Sequence, residues 1–283
     1  MSTHDAARIQ PALQALMASD AAKLEEVIER DPGIVHTIIG DNTLLELATQ
    51  PAVGEVSSEV IAVLINRGAK LDRALNLAAC WNLSALVEQL LKAGADPRAR
   101  ADADITPLES AAMHGSAEAA DILAAHGIHR NSLWLAAAAG QLDLVRSWVD
   151  ESSALLKPPG PYRPNLADIG RPAGAPPTQD PKEILGESFV FAAANGRTSV
   201  VDYLLEVGVS IDARPYRNTT ALHLAIQFGK AAMVQHLIER GASTAIEDDT
   251  YHSDALGWAQ ACDKGNKTSA EIHALLRATP STL

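Results

Sequence analysis

The sequence predicts an all-α fold made of short helices that stack on one another. The chain has 283 residues, of which 47% are hydrophobic but only 4% aromatic, so its core must consist mainly of Ala, Leu, Ile and Val. A short motif of a polar residue, a leucine and an alanine recurs along the chain, and a second apolar segment and a glycine follow its clearest copies. One such helix pair cannot bury its apolar face alone, so neighbouring pairs must pack together.

Two copies of the motif are clear. Residues 220–225 read TALHLA, and Gly229, an apolar segment and Gly241 follow them. Residues 106–112 read TPLESAA. This pattern resembles the ankyrin repeat, whose motif opens T-P-L-H-x-A and closes with Gly-Ala after a second helix. Weaker copies lie at 43–48, 74–79, 132–137, 188–193 and 255–259.

The spacing of the motifs predicts the domain organisation. The apolar anchors follow one another at intervals of 30, 33, 25, 56, 33 and 34 residues. A first, degenerate copy precedes them. We therefore expect one array over 1–283, similar to divergent bacterial-type ankyrin proteins, with about eight helix-turn-helix units forming a solenoid. The predicted repeats are approximately 10–39, 40–71, 72–102, 103–129, 130–152, 186–216, 217–249 and 250–283.

A proline- and glycine-rich segment, 153–185, interrupts the array after the fifth repeat. Eight of the fifteen prolines fall within 157–181. Proline removes backbone donors and fixes φ, so a long helix or strand is excluded there. Because helices of the same repeat type resume afterwards, we interpret the segment as an enlarged loop within one array. A mobile loop and a flap packed over the concave face both remain possible.

The motif residues have structural roles. Thr220 is expected to cap its helix. Gly241 follows a second helix, where a left-handed C-cap favours glycine. The resemblance implies that His223 also acts structurally, by bonding to nearby backbone at the turn.

The resemblance further implies that partners contact the concave face and the tips of the loops between repeats. Exposed aromatic residues and arginines are typical interface anchors. The residues that the register places at these positions are Trp81, His114, Tyr216, Arg217, Gln227, Phe228, Tyr251 and His252. An alternative for Trp81 and Phe228 is that they fill gaps between helices. Arginines also concentrate in the loops, at 98, 100, 163, 171, 214 and 217. They could meet a carboxylate-bearing or phosphorylated partner, and the alternative is that they are ordinary solvated loop charges.

Composition excludes several classes of function. A net charge of −12 argues against nucleic-acid binding. No apolar run is long enough to span a membrane, and the first residues lack the apolar region of a secretory signal. Two cysteines are too few for a disulfide framework, so we expect a cytoplasmic protein.

We expect a non-catalytic, monomeric protein-binding module without cofactor or metal, because no nucleotide-binding loop, nucleophile elbow or zinc-ligand pattern is present. The alternative is an enzyme or small-ligand binder whose pocket is formed by the concave groove and the 153–185 loop.

Overall fold

The structure is a computed structural model that describes residues 3–100, 104–127, 132–150, 154–158 and 180–279. In these ranges the chain forms sixteen α-helices and two 3₁₀ turns, without a named β-strand, so the prediction of an all-α fold is confirmed. In chain order the helices are α1 (Thr3–Met17), α2 (Ala21–Arg30), α3 (Leu44–Leu47), α4 (Ser58–Asn66), α5 (Asp72–Cys80), α6 (Ser84–Lys92), α7 (Pro107–Met113), α8 (Ala117–Ala124), α9 (Leu133–Ala138), α10 (Leu142–Arg146), α11 (Pro181–Ala194), α12 (Thr198–Glu206), α13 (Ala221–Gln227), α14 (Ala231–Glu239), α15 (Ala255–Ala261) and α16 (Lys267–Ala278).

The chain divides into two compact units. Unit 1 contains Met1–Ala111 and Glu118–His126, and unit 2 contains Ala112–Ala117 and Gly127–Leu283. In unit 1, α1 packs on α2 and α3, α2 on α4, and α3 on α4 and α5. In unit 2, α9 packs on α10 and α11, α11 on α13, and α13 on α15, while α14 packs on α16. Within unit 2, therefore, the first helix of each hairpin packs on the first helix of the next.

The recurring motif forms a helix cap. Thr43 and Thr220 accept hydrogen bonds from the backbone N–H groups of Glu46 and His223, and each of these side chains bonds back to the threonine N–H. Such reciprocal bonds satisfy two backbone donors that a helix start leaves open. Thr106 repeats the arrangement with Glu109, which is fully buried. The motif therefore fixes where the first helix of a hairpin begins.

The glycine after the second helix ends that helix as predicted. Gly241 has φ +90°, and Ala242 N donates a bond to the carbonyl oxygen of Leu237. Gly94 and Gly208 adopt the same conformation, with φ +95° and +90°. A left-handed residue at this position lets the next N–H bond back to the last turn, a geometry that glycine adopts without steric strain.

The connections after these glycines differ in length. Only residues 67–71 separate α4 from α5, whereas residues 207–220 and 240–254 precede α13 and α15. The long connections supply the loop surfaces described below. Of the predicted 153–185 insertion, residues 153 and 159–179 lie outside the described residues.

Helix α11 begins at Pro181, inside the segment predicted as a loop, so the loop ends earlier than predicted. The side chain of Asp180 caps this helix, and Pro181 occupies its first turn. A proline is tolerated there because the N–H that it lacks has no helical partner anyway. All residues from Ile184 to Ala194 are buried, because α9, α12 and α13 all pack against α11.

In the described part of the chain, no helix combines the length and apolar character needed to cross a membrane.

Candidate interaction site

Two neighbouring loops of unit 2 have their tips joined. In the first loop, Thr219 N donates a 2.6 Å bond to the carbonyl oxygen of Tyr216. Arg217 and Asn218 between them have φ +39° and +58°, the two positive values that a type I′ turn requires. Asn tolerates this conformation well, whereas Arg adopts it only rarely. The turn therefore holds the exposed Arg217 at a defined place at its tip.

The second loop bonds directly to this turn. Asp249 N donates to the carbonyl oxygen of Arg217 over 2.8 Å. The side-chain amide of Asn218 donates to the Asp249 carboxylate over 2.5 Å. These two bonds make the tips a single surface. We call three exposed residues of these tips, Arg217, Tyr251 and His252, the loop-tip surface.

The buried carboxylate of Asp248 binds the backbone of the second loop. It is 1% exposed and accepts bonds from the backbone N–H groups of Thr250, Tyr251 and Ser253 at 2.8, 2.8 and 3.2 Å. The indole Nε1 of Trp258 donates a fourth bond over 2.9 Å. A buried carboxylate with four donors fixes the path of the backbone that carries Tyr251.

The hydrogen bonds also set the ionisation of Asp248. Burial alone would raise the pKa of this carboxyl, but the bonds from Trp258 and the loop N–H groups outweigh burial and lower the pKa below its ordinary value. Asp248 is therefore the negatively charged anchor of the loop at neutral pH.

Tyr251 is the main exposed aromatic residue of the loop-tip surface. It is 58% exposed, and its ring stands edge-on to Trp258 with the centroids 5.5 Å apart. Trp258 itself is buried, so the Tyr251 ring packs against a side chain that is held in the core. His252 follows with φ +50° and is also exposed. An exposed aromatic ring held in one pose loses little conformational entropy when a partner covers it.

His223 lies beneath the same loop. Its ring centroid is 5.1 Å from that of Trp258, and its Nδ1 accepts a 3.1 Å bond from Thr220 N. Burial lowers the pKa of His223, although Asp248, the backbone at Ile246 and Asp254 partly oppose this effect. The neutral imidazole is thus a structural support for helix α13, as expected.

Comparison with known proteins agrees with this architecture. Residues 173–272 match the family model described as ankyrin repeats in three copies. These residues are built from ankyrin repeats. The matched residues include both joined loops and Asp248.

Similar proteins include two plant proteins. The chain is 24% identical over 239 residues to the E3 ubiquitin-protein ligase KEG of Arabidopsis thaliana. The match covers 70% of this chain and 15% of KEG. It is 41% identical over 69 residues to the probable E3 ubiquitin-protein ligase XBOS32 of Oryza sativa subsp. japonica, covering 24% and 14%. The chain thus matches only about one seventh of the length of either relative. Among solved structures, the human ASB11 ankyrin repeat domain is 17% identical, with a TM-score of 0.42 and coverage of 94% of this chain and 97% of that one.

Tyr216 does not lie where the ankyrin register predicted. We expected an exposed loop-tip residue, but its side chain is 2% exposed and its ring lies 6.1 Å from that of Phe191 in α11. Tyr216 precedes the turn and packs inward beneath it, so its ring is part of the core. The prediction that Tyr216 is exposed for binding is therefore wrong.

Phe228 and Gln227 lie at the end of α13, and both are only partly exposed. A Cβ atom at Gly115 would be 2.5 Å from Cγ of Phe228 and 2.8 Å from the carbonyl oxygen of Ala194. The Phe228 ring therefore occupies the space beside Gly115, as in the alternative that it fills a gap. The same segment is bound by Asn195, whose side-chain amide donates to the carbonyl oxygen of Ala112 over 2.8 Å.

The remaining two candidates are exposed. Trp81, at the end of α5 in unit 1, is 47% exposed. His114, in unit 2, is exposed as well. The structure thus joins three of the eight predicted residues, Arg217, Tyr251 and His252, in one surface.

Metal-binding and thiol chemistry have little support in the described ranges. No group of three or more His, Cys, Asp or Glu side chains in those ranges could hold a metal ion. Cys80 and Cys262 are not joined in a disulfide, and burial raises the pKa of both thiols. A raised pKa leaves less of the reactive thiolate at neutral pH.

Proposed function

We propose that this ankyrin-repeat chain is a non-catalytic protein-binding module and that the loop-tip surface of unit 2 contacts its partner. The observation that carries the proposal is Tyr251, a largely exposed aromatic ring held in place by Trp258 and by the backbone bonds to Asp248. Tyrosine and arginine are enriched among the residues that dominate binding energies. Arg217 and Tyr251 place both types on adjacent, bonded tips.

The relatives support a role within a larger system. Both plant proteins are named as E3 ubiquitin-protein ligases, and this chain matches a small part of each. We therefore propose that this chain supplies recognition of a protein partner rather than chemistry. We further propose that it acts as a cytoplasmic monomer, because a chain with only two cysteines suits a reducing compartment.

Affinity purification with quantitative mass spectrometry tests the proposal. Wild-type bait should enrich proteins that the double variant Arg217→Ala/Tyr251→Ala loses. Truncation of central aromatic anchors typically weakens binding by about 1–4 kcal/mol. The matched control is Lys267→Ala/Arg277→Ala, which changes two exposed residues of α16. Identical protein sets for the wild type and the loop-tip variant, with equal melting temperatures, would refute the role of this surface.

A further inference from the structure

A cleft opens in unit 2 at the start of α11. It has a volume of 510 Å³, within the range typical of ligand sites. Its floor and walls include Leu185, Gly186, Val209, Ala213 and Pro215. Gly186 adds no side chain to the cleft and faces Ala213, since a Cβ atom at this position would lie 3.4 Å from Cβ of Ala213. The interior of the cleft is therefore apolar and shaped by small residues.

The polar groups stand at the rim. Lys182, Glu183 and Arg214 line the cleft and are exposed. Neither Lys182 nor Arg214 forms a hydrogen bond or ion pair through its side chain with the described residues. Both cations come from different elements, α11 and the loop before α13, yet border the same cleft. The rim therefore carries two cations against one carboxylate in a protein whose net charge is −12.

We propose that this cleft binds a peptide segment of a protein partner that places an apolar side chain next to one or more carboxylates. The apolar side chain would enter between Leu185, Val209 and Pro215, where it loses contact with water. Its neighbouring carboxylates would pair with Lys182 and Arg214. A guanidinium at the rim can bind a carboxylate through two parallel bonds, which gives direction as well as affinity.

This site goes beyond the loop-tip surface and does not depend on it. The loop-tip surface presents exposed side chains, whereas the cleft can receive a side chain of the partner. Charge complementarity selects an acidic partner, because a basic or neutral segment would leave both rim cations without a partner.

A display library of random peptides, selected on the full chain, provides the probe. We expect the binders to share an apolar residue adjacent to Asp or Glu.

Three variants then separate the contributions to peptide affinity, measured by fluorescence anisotropy. Ser210→Trp, at an exposed residue of the cleft wall, should block entry. Lys182→Glu/Arg214→Glu should weaken binding by about tenfold or more, because two charge-assisted contacts become repulsive. Lys267→Glu/Arg277→Glu makes the same change of net charge on α16 and should leave affinity within about twofold, since both residues are exposed and neither lines the cleft.

The outcomes decide between the possible occupants. Selected peptides without acidic residues, or equal affinity for the wild type and the Lys182→Glu/Arg214→Glu variant, would overturn the proposal. Binding that is lost in Tyr251→Ala but retained in Ser210→Trp would assign the peptides to the loop-tip surface instead. A dimer in sedimentation velocity that Ser210→Trp abolishes would assign the cleft to a second copy of the chain, and would also overturn it. Binding lost in Ser210→Trp and retained in Tyr251→Ala supports the cleft, whatever becomes of the loop-tip surface.

Discussion

The ring of Phe228 lies against Gly115, although the two residues are 113 positions apart in sequence. A Cβ atom at Gly115 would meet Cγ of Phe228 at 2.5 Å and Cβ at 2.7 Å. Gly115 also has φ +64°. Both the close contact and the backbone conformation therefore require glycine at this position.

Gly115→Ala should lower the free energy of unfolding by about 2–5 kcal/mol. The left-handed backbone alone accounts for about 1–2 kcal/mol, and overpacking against a fixed ring adds about 1–3 kcal/mol. Urea unfolding at neutral pH measures the change. Gly241→Ala is the matched control, since Gly241 has φ +90° but no atom within 4 Å of the added Cβ, so only the backbone penalty applies.

A double-mutant cycle checks the cause of this loss. If the ring is responsible, Phe228→Ala should recover about 1 kcal/mol or more of the Gly115→Ala effect. Additive effects of the two substitutions would mean that the contact with Phe228 contributes nothing.

Truncation of the two tyrosines of the joined loops should change the stability of the fold to very different extents. Tyr216→Ala should destabilise the fold by about 3–5 kcal/mol because it empties a fully buried site beside Phe191. Tyr251→Ala should change stability by less than about 1 kcal/mol because its ring is largely exposed. Chemical denaturation of both variants gives the comparison. Equal losses would contradict the burial of Tyr216.

The sequence allowed the helices to be predicted, because their signals are local. A threonine that caps a helix and a glycine that ends one act within a few residues, so TALHLA and Gly241 indicated the hairpin correctly. The end of the loop was predicted at residue 185, whereas α11 begins at Pro181. A proline can mark either a loop or the first turn of a helix.

The contacts between repeats could not be predicted in this way. The inward position of Tyr216 depends on Phe191, and the position of Phe228 depends on Gly115, and both contacts join segments distant in sequence. Asp248 was not recognised as an anchor, because its four donors become neighbours only after the loop has folded. The turn itself could be predicted in part, since Asn218 is a residue type that favours the positive φ values of a type I′ turn.

Asp248→Asn should destabilise the chain by about 1–3 kcal/mol at neutral pH, because an amide replaces a carboxylate that accepts four bonds. The folded pKa of Asp248 lies below its unfolded value, so its stabilising effect is complete above the unfolded pKa of about 3.9 and is lost as pH falls through the folded value. The difference between wild type and Asp248→Asn should therefore shrink on acidification below about pH 4.

Urea unfolding of both chains across this pH range measures that difference. Glu247→Gln is the matched control, since Glu247 is exposed at the neighbouring position and its replacement should change stability by less than about 1 kcal/mol. A gap between wild type and Asp248→Asn that grows as pH falls would contradict the lowered pKa.

His223 should make stability depend on pH in the mildly acidic range. Burial lowers its pKa in the folded state below the unfolded value of about 6.5. The stabilisation contributed by the neutral imidazole is therefore complete above about pH 6.5 and is lost as pH falls through the folded value. Protonation would also remove the acceptor that Nδ1 offers to Thr220 N, which ties the titration to the start of α13.

His223→Gln cannot titrate, so its free energy of unfolding should fall less than that of the wild type between about pH 7.5 and 5. His236→Gln is the control, because it leaves His223 intact and removes a histidine whose Nε2 is 2.9 Å from Asp202 on other helices of unit 2. Parallel pH profiles for the wild type and His223→Gln would show that the buried ring does not titrate with folding. A flatter profile for His223→Gln, with the His236→Gln chain still losing stability on acidification, would identify the capping histidine as the acid-sensitive group beneath the loop-tip surface.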